Sequence, residues 1–267
     1  MPALISRVLV AAVGLPVVLV VVWAGGWWLF GLATLVALVA LHEYARLIRP
    51  LRPLVLAAYV GAVAMLAGAT AGGATWLLGG LLLTLAVTVV MHLFAETRPP
   101  ATVAIGSTFL GAAWVGLGLG SVLLLRDIPD HGALAVFTVL LAVWASETFA
   151  FFVGRLVGRH KLAPVTSPGK TWEGLVAGSA ASVAVAFFAL YEDRETFLTI
   201  AEAVALGGAI ALAGTLGDLF ESALKRDMQV KDTGRFLAGH GGMLDRIDAL
   251  LFAAPASLFA ILAFGYA

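Results

Sequence analysis

A polytopic, all-α membrane protein with about nine transmembrane helices and a cytoplasmic N-terminus is the fold class the sequence predicts. Three observations predict it. The 267 residues are 61% hydrophobic and only 12% charged, with a mean hydropathy of +1.02, whereas a soluble domain averages about 45–50% apolar and about 25% charged. The apolar runs are long and continuous rather than alternating, which excludes a β-barrel along with a coiled coil, a disordered chain and a soluble globule. The Lys and Arg residues fall almost entirely on one side of the resulting spans. Sixteen Lys+Arg balance sixteen Asp+Glu, so bulk charge makes no case for a nucleic-acid partner, and a chain without Cys has no disulfide or thiolate chemistry.

The spans follow by punctuation. Met1 to Arg7 is a short, weakly basic start, and Val8 to Leu41 then runs 34 residues without a charge, too long for one span of about 20 residues. Ala24-Gly25-Gly26 divides it into span 1, roughly 8–23, and span 2, roughly 27–42. Hydrophobicity resumes with no small-residue cleavage site, so span 1 is read as a span and not as a removable leader. Span 3, roughly 54–70, stops at Ala71-Gly72-Gly73, and span 4 covers roughly 74–94. Glu96 to Pro100 is a polar, Pro-rich connection to span 5, roughly 103–125, and a turn over Arg126 to Gly132 leads to span 6, roughly 133–153. A basic loop is expected over 154–171. Spans 7 and 8 cover roughly 172–191 and 198–217, a long polar segment covers 218–248, and span 9 is roughly 249–266.

In this frame only Arg126 and Arg194 lie opposite the N-terminus, and the other fourteen Lys and Arg share its side. The positive-inside rule therefore makes that side cytoplasmic. The chain divides into an N-terminal region of spans 1–5, residues 1–132, and a catalytic region, residues 133–267, that carries the two long cytoplasmic segments. Short outer loops leave those segments, 154–171 and 218–248, as the places for chemistry.

If the first half of 218–248 continues span 8 as a helix, Asp218, Ser222 and Lys225 fall at i, i+4 and i+7 on one face, with Glu221 beside them. A carboxylate, a hydroxyl and a cation on one stripe suit a metal-bound phosphate; they also suit a solvated helix end with ordinary salt bridges. The second half holds Gly239-His240-Gly241-Gly242, a backbone that can approach a ligand closely, and then Asp245-Arg246-Ile247-Asp248. Two carboxylates at i and i+3 can hold a hard divalent cation together with substrate phosphates. As a whole, Ser222, Lys225-Arg226, Lys231-Asp232, His240-Gly241-Gly242, Met243, Asp245-Arg246, Ile247 and Asp248 resemble the signature of the phosphatidate cytidylyltransferases (CDP-diacylglycerol synthases). Ala238 stands where that family usually has Pro, a change in loop stiffness more than in chemistry.

The earlier segment is similar to the same family through Gly158-Arg159-His160-Lys161-Leu162-Ala163-Pro164 and Ser167-Pro168-Gly169-Lys170-Thr171-Trp172-Glu173-Gly174. Gly169-Lys170-Thr171 is not a phosphate-binding P-loop, because Pro164 occupies the position of that motif's first Gly and no strand precedes it. Arg155 reads equally as a positive-inside anchor, and Gly154 with Gly158 as tight packing at a span end. His42-Glu43-Tyr44, at the end of span 2, resembles a family position occupied by Glu. In span 6 the family usually places an Asp a few residues after a Trp, and here Trp144 is followed by Glu147. An acid at a helix centre costs about 2.5–3.5 kcal/mol to insert, so Glu147 is expected to face a polar interior and take a site role.

The resemblance implies a reaction in which CTP and phosphatidate give CDP-diacylglycerol and pyrophosphate. It implies Asp218, Asp245 and Asp248 as ligands of one or two Mg²⁺ ions, with a further monovalent cation in reach. Lys225, Arg226, Lys231 and Arg246 would contact phosphates. Ser167, Lys170 and Ser222 would complete a nucleotide cradle, and His240 would position the loop or a phosphate. It further implies a homodimer in a bacterial inner membrane, with acyl chains in the lipid and the active site on the cytoplasmic side. The rivals are a CTP-dependent lipid kinase, a cytidylyltransferase for another lipid phosphate, and an ion-coupled transporter. The transporter predicts acids spread over several mid-membrane positions, and here most crowd one segment. The residue spacing of a CDP-alcohol phosphotransferase is absent.

Overall fold

Residues 2–95, 100–234 and 241–266 are described by a computed structural model. Among them seven helices are long and apolar enough to cross a membrane, and the chain is a mostly helical, polytopic membrane protein. The elements are α1 (Pro2–Ala24), α2 (Gly26–Leu47), a 3₁₀ turn (Arg49–Leu51), α3 (Val55–Leu93), α4 (Ala101–Arg126), α5 (Gly132–Val157), β1 (Lys161–Ala163), β2 (Ser167–Thr171), α6 (Trp172–Leu190), α7 (Ile200–Asp227), α8 (Leu244–Ile247) and α9 (Leu250–Ala263). Exposed Trp27, Trp28, Phe188 and Phe259 are the side chains a hydrocarbon solvent accommodates and water would not. The expected Glu96–Pro100 connection lies largely outside the described residues.

The chain forms two units. The first comprises residues 1–124 and 228–247, the second residues 125–227 and 248–267. In the first, α3 is not one rod: 39 residues of straight helix would measure about 58 Å against a hydrocarbon core of about 30 Å. Gly73 has φ 71° and ψ −157°, a conformation that side-chain-bearing residues avoid, and breaks the helix where spans 3 and 4 were expected to part. The two arms fold back on each other: Gly68 lies against the Trp76 carbonyl, Gly80 against the Met65 backbone and Gly61 against the Thr84 side chain. α4 joins them through glycines, with Gly111 under the Tyr44 ring, Gly116 under the Met65 thioether and Gly120 under Leu77. The Tyr44 hydroxyl donates to the Ser107 carbonyl at 2.9 Å, so its one polar atom is satisfied.

In the second unit α5 packs on α6, α6 on α7, and α7 on α9. Small residues make each approach close. Gly174 and Gly178 of α6 face the carbonyls of Ala150 and Ser146 on α5, the Ser182 hydroxyl donates to the Gly207 carbonyl at 2.7 Å, and Gly217 of α7 rests on the Asp248 carbonyl.

One expectation is corrected. Residues 154–171 are not simply a loop, because α5 continues to Val157 and the chain then forms an antiparallel hairpin with Lys161 opposite Thr171 and Ala163 opposite Ser167, so a strand does precede Gly169-Lys170-Thr171 and Pro164 alone argues against a P-loop. Thr171 ends the hairpin and starts α6: its hydroxyl accepts the Gly174 N–H at 3.1 Å, an N-cap worth about 1 kcal/mol. Glu173 in that first turn holds the hairpin's base, accepting from His160 Nδ1 at 2.7 Å.

Candidate active site

The second unit holds the larger part of the expected site. α7 extends as a helix to Asp227, as expected, so Asp218 and Ser222 share a face, and Ser222 Oγ donates to Asp218 Oδ1 at 3.3 Å. Lys225 pairs with Glu221, its i−4 neighbour, and not with Asp218. The cation that reaches Asp218 is Lys170, from β2, with Nζ 2.7 Å from Oδ2 and 3.5 Å from the Thr215 carbonyl oxygen. Arg226, one turn beyond Ser222, donates from Nε to the Thr166 carbonyl at 3.3 Å. The hairpin is therefore tied to α7 at both ends of its second strand.

Asp248 lies beside this group. Gly217 allows the α7 backbone to touch the Asp248 carbonyl, since a Cβ there would overlap it. The Asp248 side chain is buried and accepts the Ala249 N–H at 2.8 Å. It lies within electrostatic reach of Asp218 and Glu147 and within hydrogen-bond reach of Glu221. Asp218 and Asp248 repel each other, and a cation between two carboxylates relieves that repulsion. Among the described residues no three His, Asp or Glu side chains group as a ready cation cage. Mg²⁺ does not require one, being commonly held by one or two carboxylates with water and substrate phosphates completing the shell. The pair fits such an ion on charge and ligand type.

A cavity of about 720 Å³ opens among α5, the hairpin, α6 and α7, within the size range of small-molecule sites. Arg155, Lys161, Lys170, Ser167, Glu147 and Asp218 supply its polar wall, while Val143, Phe151, Leu175 and Ile210 supply an apolar one. Glu147 is exposed and lines this cavity. Such walls receive a ligand with an anionic part and an apolar part. Lys161 was given no role from the sequence; its place in the family-like stretch Gly158–Pro164 was the available signal. Arg155, read equally as an anchor, lines the cavity.

Asp245, Arg246 and Lys231 belong to the first unit. Asp245 Oδ2 accepts three hydrogen bonds, from Thr233 N at 3.1 Å, Thr233 Oγ1 at 2.8 Å and Gly242 N at 2.9 Å. It organises its own loop, a role the resemblance did not suggest. Arg246 and Lys231 are exposed. His240, with Ala238 and Gly239, lies outside the described residues.

The fold and site define an integral membrane protein that offers a cation-lined, half-apolar cavity beside a pair of carboxylates. A sequence model of the cytidylyltransferase family matches residues 5–264, and the chain belongs to that family. It is similar to the phosphatidate cytidylyltransferase of Haemophilus influenzae, 41% identical over 130 residues, covering 48% of this chain and 45% of the relative. The protein of that name from Staphylococcus saprophyticus is 39% identical over 147 residues, covering 55% of each. The one from Mycobacterium bovis is 33% identical over 278 residues, covering 92% of this chain and 84% of the relative. The chain spans about half the length of the first two relatives.

Proposed function

We propose that this chain transfers CMP from CTP to phosphatidate, giving CDP-diacylglycerol and pyrophosphate for phospholipid synthesis. The observation that carries this reading is the Lys170–Asp218 pair at 2.7 Å, which joins the two motif-bearing segments at one cavity. A lipid phosphate oxygen attacks the α-phosphorus of CTP, and the bond from that phosphorus to the β-phosphate oxygen breaks. Both reactants are anions, so the site's task is charge neutralisation and in-line placement more than base catalysis. Lys170, Arg155 and Lys161 bind and orient phosphates, with Ser167 donating a hydroxyl, while Val143 and Phe151 receive the apolar portion of the lipid. Arg226 holds the hairpin, and through it Lys170, against α7. Asp218 and Asp248 would hold Mg²⁺, which would supply neutralisation of the triphosphate.

The same reading puts the site on the cytoplasmic face of a bacterial inner membrane, where CTP is available, and makes the enzyme a homodimer. Nine spans are supported by the seven long apolar helices, the second arm of α3 and the helical α1. Glu147, in place of the family's usual Asp, supports a second reading: the same transfer to a different lipid phosphate.

The test uses the full chain in lipid with radiolabelled CTP, Mg²⁺ and phosphatidate, with and without EDTA. Label in the lipid extract together with released pyrophosphate, both lost with EDTA, is the expected result. Phosphorylated lipid and CDP would instead identify a kinase. No labelled lipid in a folded sample would overturn the phosphatidate assignment.

A further inference from the structure

In the first unit a carboxylate from α2 sits at the centre of the signature segment. Glu43, in the last turns of α2, is 4% exposed. Its Oε2 accepts the Leu244 N–H at 2.9 Å, a contact across 201 residues of sequence. Leu244 opens α8, and a helix's first N–H groups have no partner within the helix. On either side of this carboxylate stand Gly234 and Gly242, and a Cβ built on either would overlap it. The segment is closed a second time by Asp245, which accepts from Thr233 on one arm and Gly242 on the other. Two carboxylates therefore hold the two described arms of this segment. Asp245 clasps the arms together, and Glu43 is the post around which they close.

We propose that Glu43 is a positioning residue that sets the loop carrying Asp245 and Arg246. A buried acid in an apolar helix needs compensating hydrogen bonds, and Glu43 takes one from the loop's own backbone. The two glycines make the fit tight: neither arm can carry a side chain at the contact without displacing the carboxylate. The functional part of this inference rests on the assignment of Asp245 and Arg246 to the transferase signature; the anchoring part does not.

The experiment measures hydrogen–deuterium exchange across residues 241–247 in the full chain in nanodiscs, beside steady-state turnover with CTP and phosphatidate. Three variants are compared: Glu43→Ala, Glu43→Gln and Gly242→Ala. A buried hydrogen bond to a charged group corresponds to about ten- to a hundred-fold in local opening. Glu43→Ala is expected to raise exchange in 241–247 by that factor while exchange in α3 stays unchanged. Its kcat should fall at least ten-fold with the KM for CTP within about three-fold. Glu43→Gln keeps a carbonyl acceptor of nearly the same size and should recover most of the protection and most of kcat. Gly242→Ala disturbs the same contact from the loop side and should reproduce Glu43→Ala, which guards against a fault confined to α2. Unchanged exchange in both Glu43→Ala and Gly242→Ala would overturn the anchoring. Raised exchange with normal kcat would overturn the positioning role. If the unaltered protein makes no CDP-lipid, the function proposed above fails, and the exchange measurement still decides whether Glu43 holds the loop.

Discussion

The Lys170–Asp218 pair is the contact whose removal is most informative. Lys170→Met keeps the length and apolar stem of the side chain and removes the ammonium. In the structure the two charged atoms are 2.7 Å apart, with the side chains 22% and 34% exposed. Hydrogen bonds to charged groups contribute about 1.5–3 kcal/mol when buried, and exposed pairs about 0–1 kcal/mol. This half-buried pair belongs between them, at about 1–2 kcal/mol. For a chain of this size each kcal/mol corresponds to about 2–4 °C in Tm, so Lys170→Met should lower Tm by about 2–8 °C in detergent. The same change in an Asp218→Asn background should cost less, because the partner's charge is already gone. A double-mutant cycle over the four proteins should therefore show a coupling of about 1–2 kcal/mol. Additivity to within about 0.5 kcal/mol would refute the pairing and, with it, the argument that the hairpin is drawn onto α7 by charge.

Further expectations concern the same region. Asp218→Asn and Asp248→Asn should each abolish CDP-lipid formation while the protein still elutes as a monodisperse peak; turnover in both would remove the metal assignment. Gly217→Val places a branched side chain against the Asp248 carbonyl, and overpacking of this kind costs about 1–3 kcal/mol, read as a lower Tm together with reduced turnover. Glu147 lines the cavity, so Glu147→Asp should retain activity and Glu147→Ala lose most of it; an inactive, folded Glu147→Asp would show that Glu147 does not do the job of the family's Asp.

Local periodicity made much of this legible. The α7 extension to Asp227, with Ser222 hydrogen-bonded to Asp218, follows from i, i+4 spacing. The break at Gly73 follows from a Gly-Gly punctuation mark in an overlong apolar run. The hairpin was not legible: its strands are three and five residues long, and the second contains Pro168 and Gly169, residues that strands disfavour. Lys225 lies on the expected helix and pairs with Glu221, four residues back, a partner that the stripe of Asp218, Ser222 and Lys225 did not name. Lys170 to Asp218 spans 48 residues, and Glu43 to Leu244 spans 201. No helical or strand period connects such positions, so motif resemblance could name the residues without naming their partners.

The hairpin's chemistry also changes how the basic segment is understood. Lys and Arg near a span end are ordinarily explained by orientation in the membrane, and that explanation asks only for charge on one side, not for any geometry. Here the geometry is specific. Lys170 reaches Asp218, Arg226 reaches back to Thr166, and Arg155 and Lys161 line the cavity that Lys170 shares. Asp218, in turn, lies on α7 just beyond its apolar stretch, with its side chain 34% exposed. The cation that pairs with it comes from the hairpin, so the end of α7 and the hairpin are held together by charge. In the cavity Lys170 is already held by a carboxylate. Under the transfer proposed above, phosphate would draw on that lysine and leave Asp218 for a divalent cation.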